Sequence, residues 1–166
     1  MTDTRQMQPR LDYAKLAPKA VEAMYAVERY VRNSGLEPGL LELVKLRASQ
    51  INGCAYCVDM HTKDARARGE TEQRLYAAVA VWKEAPFFTE RERAVLAWAE
   101  AVTLVSRDQV TDEIFENARR EFGEKQLIDL SMAVIAINGW NRLAVSFRAL
   151  AGTYQPGAHH EAARKE

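Results

Sequence analysis

The sequence lacks the features that would place it in several large protein classes. Only two of its 166 residues are cysteine, Cys54 and Cys57. A small secreted domain built on disulfides would need more of them, spread along the chain. Charge of one sign is not in excess: 23 basic residues face 23 acidic ones, for a formal net charge of zero. That balance argues against a protein that tracks a phosphate backbone and against a polybasic membrane-surface protein, so neither nucleic acid nor membrane is expected as a partner. No apolar stretch, Met132 to Ile137 among them, approaches the ~18 to 20 residues needed to span a bilayer. The opening MTDTRQMQPR has no apolar core, so no secretory leader is expected. Five prolines and eight glycines are too few for collagen-like or low-complexity sequence. These exclusions leave a soluble, cytoplasmic, single-domain protein, with 48% apolar residues to build one core.

The periodicity is helical nearly throughout, with no convincing alternation of β-branched residues. The expected fold is an all-α bundle of six or seven helices. Residues 1–10 are expected to be loose, 11–152 to form the helical domain and 153–166 to be a loose tail. Leu11 to Asn33 reads as one helix with Pro18 in its first turn, stopped by Ser34-Gly35. Pro38 starts a second, which Asn52-Gly53 ends. A third begins at the cysteines and runs to Arg68. Thr71 is placed to cap a fourth, carrying Leu75, Tyr76, Val79 and Trp82 and ending before Pro86. Thr89 and Glu92 form a capping-box pattern for a fifth. Thr111 opens a short sixth, closed by Gly123. From Glu124 to Ala149 the pattern is apolar on several sides, which points to burial in a bundle or against a second subunit.

Chemistry concentrates in ELVKLRASQINGCAYCVDMH, residues 42–61. On one helix Cys57 and His61, four apart, share a face, and Cys54, seven from His61, nearly eclipses it, so all three side chains can line one wall. A thiolate is the species that attacks a peroxide oxygen or a disulfide sulfur, and an imidazole can accept its proton. The C-x-x-C spacing lets a second thiol condense with a sulfenic acid formed at the first. If the chain folds back at Asn52-Gly53, Glu42 lies ~15 Å back from the turn and His61 ~11 Å along the returning helix. Glu42 then comes level with His61 rather than with either cysteine, which orders carboxylate, imidazole and thiol as a proton relay. The helix dipole favours Cys54 as the acidic thiol and the nearby imidazole favours Cys57; these effects are similar in size and leave the reactive cysteine open.

Glu, eleven residues, Cys-x-x-Cys, three residues, His resembles the active-site signature of the AhpD-like alkylhydroperoxidases of the carboxymuconolactone decarboxylase superfamily. The likeness extends through LLELVKLRASQINGCAYCVDMHTKDARARGE, PFFTERERAVLAWAEA and AINGWNRLAV, which together span most of the chain. The resemblance implies an all-helical domain assembled as a homotrimer or homohexamer. It implies that Cys57 is the peroxidatic cysteine, Cys54 the resolving one, and Glu42 with His61 the proton relay. The substrate would be an organic hydroperoxide and the reductant an external dithiol of lipoyl or thioredoxin type, with no bound cofactor or metal. One position departs from the pattern: peroxidase-type relatives carry histidine just before the second cysteine, where this chain has Tyr56. A phenol of ordinary pKa ~10 cannot shuttle protons near neutrality as an imidazole does.

Other readings compete. Cys54, Cys57, His61 and Glu42 could supply four zinc ligands, although structural zinc sites usually pair two such knuckles. The dithiol could report redox state without turnover. Lactone chemistry of the decarboxylase branch would not need the cysteines. Trp82, Trp98, Trp140, Phe87 and Phe88 suit a pocket or, more commonly, a core. Tyr56 suits packing as well as participation. Asn138, Asn141 and Arg142 could support either the site or a subunit interface. Asp59 falls off the cysteine face and is expected to be exposed, and His159 and His160 to bind nothing specific.

Overall fold

The structure, a computed structural model, describes residues 8–157; the side chains of residues 76–78 are also outside the description. Among the described residues every regular element is helical. These are α1 (Tyr13–Leu16), α2 (Pro18–Arg32), α3 (Pro38–Ile51), α4 (Ala55–Ala67), a π-helical turn (Gln73–Ala78), α5 (Glu90–Thr103) and α6 (Asp112–Phe147).

Helix α3 is the central element. Pro38 stands at its start, where a missing N–H costs nothing, and buried residues lie on most of its circumference: Leu40, Leu41, Leu43, Val44, Leu46 and Ala48. It packs against α4, α5 and α6. Its end is set by Gly53, at φ +64 in the left-handed region, which reverses the chain without a Cβ penalty. Helix α4 therefore returns beside α3. The capping box is formed: Thr89 accepts from the Glu92 N–H while the Glu92 carboxylate accepts from the Thr89 N–H. Thr111 caps α6, and Gly123 (φ +69) breaks that helix into two segments at the position where the sequence stops it. Close approach of α2 to α6 is permitted by Gly139, where an added Cβ would lie 2.7 Å from the Met24 methyl. The two helices are also tied by Asp129, fully buried, which accepts from the Tyr30 hydroxyl at 2.7 Å. Among the described residues no helix is long and apolar enough to cross a membrane.

Three expectations need correction. The first helix is two: Ala17, preceding Pro18, sits at φ −133, ψ 63 and breaks the run, because a residue before proline is pushed out of the helical region. The fourth helix shrinks to the π-helical turn, followed by turns through residue 84. Arginine anchors hold that connection instead: Arg93 donates to the Trp82 carbonyl at 3.0 Å and to that of Ala85, and Arg74 lies over the Phe88 ring. The end of the chain is not wholly loose, since Tyr154 is buried and its hydroxyl donates to Asp64 at 2.7 Å. His159 and His160 lie outside the described residues.

Candidate active site

Cys54 occupies the N-cap of α4, with extended backbone, and its sulfur accepts the Cys57 N–H at 3.4 Å. Sulfur here takes the place of the usual capping oxygen, at the helix end that favours negative charge. Because Cys54 precedes the helix, the seven-residue eclipse with His61 does not hold. Cys57 and His61, one turn apart inside α4, both line a cavity of about 450 Å³ together with Glu42; Cys54 does not line it. Both sulfurs are buried.

Glu42, from α3, and His61 meet as the fold-back requires: His61 Nδ1 is 3.0 Å from Glu42 Oε2, and both residues are buried. Burial alone would raise the Glu42 pKa. The hydrogen bond and charge of His61, with Lys45 and Arg68 behind it, outweigh that and hold the carboxyl below its ordinary range. The Arg68 Nε lies 3.9 Å from the second Glu42 oxygen.

The two thiols are pushed in opposite directions. Cys54 is lowered because the Cys57 thiol donates to it, against its burial, and the Cys57 N–H, the Asn141 amide and the Tyr56 N–H also donate. Cys57 is raised because its proton is held by Cys54 and because it is buried; Asn141 and Ser49 oppose this through hydrogen bonds. Access and charge are thus divided: Cys57 faces the cavity, and Cys54 behind it carries the more acidic thiol.

Aromatic side chains form much of the remaining wall: Tyr13 from α1, Tyr25 from α2, Tyr56 from α4 and Trp140 from α6. Burial, then nearby Tyr56 and Cys57, push the Tyr13 phenol up to about 12. Burial, then Cys57, likewise raise Tyr56, so it stays protonated near neutrality. Trp98 and Trp82 belong to the core and Phe88 packs with them, while Phe87 is exposed. Asp59, expected to be exposed, is only partly so and accepts from Lys63 at 2.9 Å and from the Gly152 N–H at 2.9 Å.

The zinc set read from the sequence is not assembled. The group that could hold a cation among the described residues is Glu42, His61 and Asp64, whose ligand atoms lie within 4.8 Å of one another, without either cysteine. Sequence reasoning missed Asp64, Tyr154 and Ser49. Ser49 is wholly buried, but it sits between Arg47 and Gln50 in the sequence of α3, where nothing local sets it apart.

The family model for the carboxymuconolactone decarboxylase family matches residues 16–101. The chain is an AhpD-like member of that family. It is 41% identical over 140 residues to the uncharacterized protein YdfG of Bacillus subtilis, covering 84% of this chain and 95% of that protein. A family structure of unknown function from Agrobacterium tumefaciens, ATU0492, superposes with a TM-score of 0.85 at 45% identity, covering 89% of this chain and 100% of the other. The alkyl hydroperoxide reductase AhpD of Acidobacterium capsulatum is 47% identical, but over 51 residues, 31% of this chain and 28% of that protein. Likeness within the family is thus high both to proteins without an assigned activity and, over a short segment, to a named reductase.

Proposed function

We propose that the protein is a thiol-dependent alkyl hydroperoxide reductase working through a Cys54–Cys57 dithiol. The observation that carries this reading is the juxtaposition, on one cavity wall, of Cys57 with the His61–Glu42 pair, with a second sulfur directly behind. In the reaction, the Cys57 proton moves to the Cys54 sulfur to which it already donates, and the Cys57 thiolate attacks the distal oxygen of the hydroperoxide. The O–O bond breaks, the alkoxide takes a proton from His61 and leaves as an alcohol, and Cys57 is left as a sulfenic acid. Cys54 then attacks that sulfur, the S–S bond forms and water leaves. An external dithiol reduces the disulfide, becoming a disulfide itself and returning two protons to the site. Glu42 keeps the imidazole oriented with Nδ1 toward the carboxylate. A reducing cytoplasm, where such dithiols are maintained, suits this cycle.

The test is peroxide consumption with a panel of dithiols. Several equivalents of organic hydroperoxide consumed per chain, in the presence of a lipoyl- or thioredoxin-type dithiol, is the expected result. If no dithiol supports more than one equivalent, the peroxidase reading falls. A redox-reporting pair would remain, a second reading favoured by the raised pKa of the cavity-facing Cys57 and by Tyr56 in place of a titrating histidine.

Assembly as a homotrimer or homohexamer belongs to the same proposal. Ile128 and Ile135, seven residues apart on α6, are 62% and 55% exposed, an apolar stripe that a second subunit would cover. Light scattering should give three or six chain masses; a monomer would contradict this.

A further inference from the structure

A chain of side-chain amides links the surface of α6 to the buried sulfurs. Arg142, exposed, donates to the Asn138 Oδ1 at 3.0 Å. Asn138 in turn donates through Nδ2 to the Val134 carbonyl at 2.9 Å and to the Thr103 hydroxyl at 3.0 Å. Asn52 Nδ2 donates to Asn138 Oδ1 at 3.0 Å and to Asn141 Oδ1 at 2.8 Å. Asn141 Nδ2 donates to Ser49 Oγ at 3.0 Å. Asn141 is buried on α6 one turn from Ile137 and Ala144, which pack against Cys54 and Cys57, and it lowers the pKa of both thiols.

An amide can face either way, and only its neighbours decide which end is the donor. Arg142 has donors and no acceptor, so the Asn138 atom it touches must be oxygen; the Val134 carbonyl, an acceptor only, requires the same. Asn52 must therefore approach Asn138 with its NH₂. That NH₂ also meets Asn141, which must answer with oxygen and turn its own NH₂ toward Ser49 and the sulfurs. Each link forces the next. Reversing any one would set two donors or two acceptors against each other in a site where Asn141 is almost wholly buried.

We propose that Asn52 is a positioning residue that carries the polarity of this chain from Asn138 to Asn141, so that Asn141 presents a hydrogen-bond donor to the cysteine pair and stabilises its thiolate. The inference rests on the thiol chemistry proposed above and deepens it. A donor fixed in place before the charge develops needs no reorganisation when the thiolate forms. The titratable groups beside the sulfurs are Tyr13 from α1 and Tyr56 from α4, both protonated near neutrality, with Tyr25 from α2 and His61 further along the same cavity. No titratable side chain belongs to the amide chain itself between Arg142 and the sulfurs.

The experiment is the pH profile of alkylation of the reduced protein by iodoacetamide, in wild type, Asn141→Ala, Asn52→Ala and Arg142→Ala. It reads thiolate directly and needs no peroxide, so it stands whether or not peroxidase turnover is found. Asn141→Ala should move the profile to higher pH by about one unit, a roughly tenfold slower reaction at pH 7. Asn52→Ala, which removes the link that orients Asn141 without touching the sulfurs, should shift it in the same direction by roughly two- to threefold in rate, the Asn141 amide being free to turn. Arg142→Ala should leave it unmoved, because the Val134 carbonyl still holds the Asn138 amide. The profiles are repeated near 1 M salt, where the screening length is about 3 Å. A shift that persists supports control through the hydrogen-bonded chain. An Asn52→Ala profile that matches wild type, or a shift that salt abolishes, overturns the proposal.

Discussion

Cys57→Ser loses hydroperoxide consumption, while Cys54→Ser consumes one equivalent and stops. The difference follows from position rather than acidity. Cys57 is the sulfur on the cavity wall, and a hydroperoxide entering there meets it and not Cys54. A serine hydroxyl at 57 is far too weak an acid to furnish a nucleophile, so the rate should drop by about three orders of magnitude or more, as it does when an enzyme loses its nucleophile. In Cys54→Ser the Cys57 proton must pass to His61 on the same cavity wall instead of to Cys54. The first attack is therefore slower but still occurs, and no thiol stands behind Cys57 to displace hydroxide from the sulfenic acid. One alcohol per chain should form in a burst, and the trapped sulfenic acid should react with dimedone or pass on to the sulfinic acid. Stopped-flow peroxide consumption with mass spectrometry of the modified chain distinguishes the two variants. A burst from Cys57→Ser and none from Cys54→Ser would invert the roles and make the more acidic Cys54 the attacking thiol.

Local signals carried much of this architecture. Pro38, Gly53, the Thr89–Glu92 box, Thr111 and Gly123 act through their own backbone or a neighbour three residues away, and the helices begin, end or break where those residues stand. The Glu42–His61 contact was also within reach, because two helices meeting at a tight turn have a register fixed by the rise per residue. Other features depend on tertiary contacts that spacing does not encode. Residues 71–86 keep a helical pattern, yet the anchoring of the Trp82 carbonyl by Arg93 and of the Phe87 carbonyl by Arg74 replaces most of the helix. Cys54 is drawn off the helix face by its role as cap. Asn141, 87 positions from Cys54 along the sequence (141 less 54), reaches the sulfurs only because α6 packs on α3 and α4. Tyr154 closes on Asp64 in the same way, across 90 positions.

The Glu42–His61 pair should reveal itself twice in one variant, in activity and in acid stability. His61→Ala should slow turnover by about 10²-fold, the low end of what a positioned proton donor supplies. Glu42→Gln, which leaves the ring in place but replaces the carboxylate by a neutral amide, should cost less, roughly tenfold or 1.4 kcal/mol in barrier. The stability effect has a definite sign. In the folded chain the Glu42 pKa lies below its ordinary 4.5, so the ionised carboxylate favours folding. That contribution is complete above the unfolded pKa and is lost as pH falls through the lower, folded value. Wild type should therefore lose melting temperature steadily as pH drops below about 4.5, over and above what its exposed acids produce. Glu42→Gln has no such proton to bind, so its melting temperature should start lower at pH 7 and decline less steeply in acid, the two curves converging. Thermal melts from pH 7 to pH 3 on both proteins measure the difference in slope. Parallel curves would mean that the carboxylate is not held in its ionised form by the histidine, and the proton relay would lose its first member.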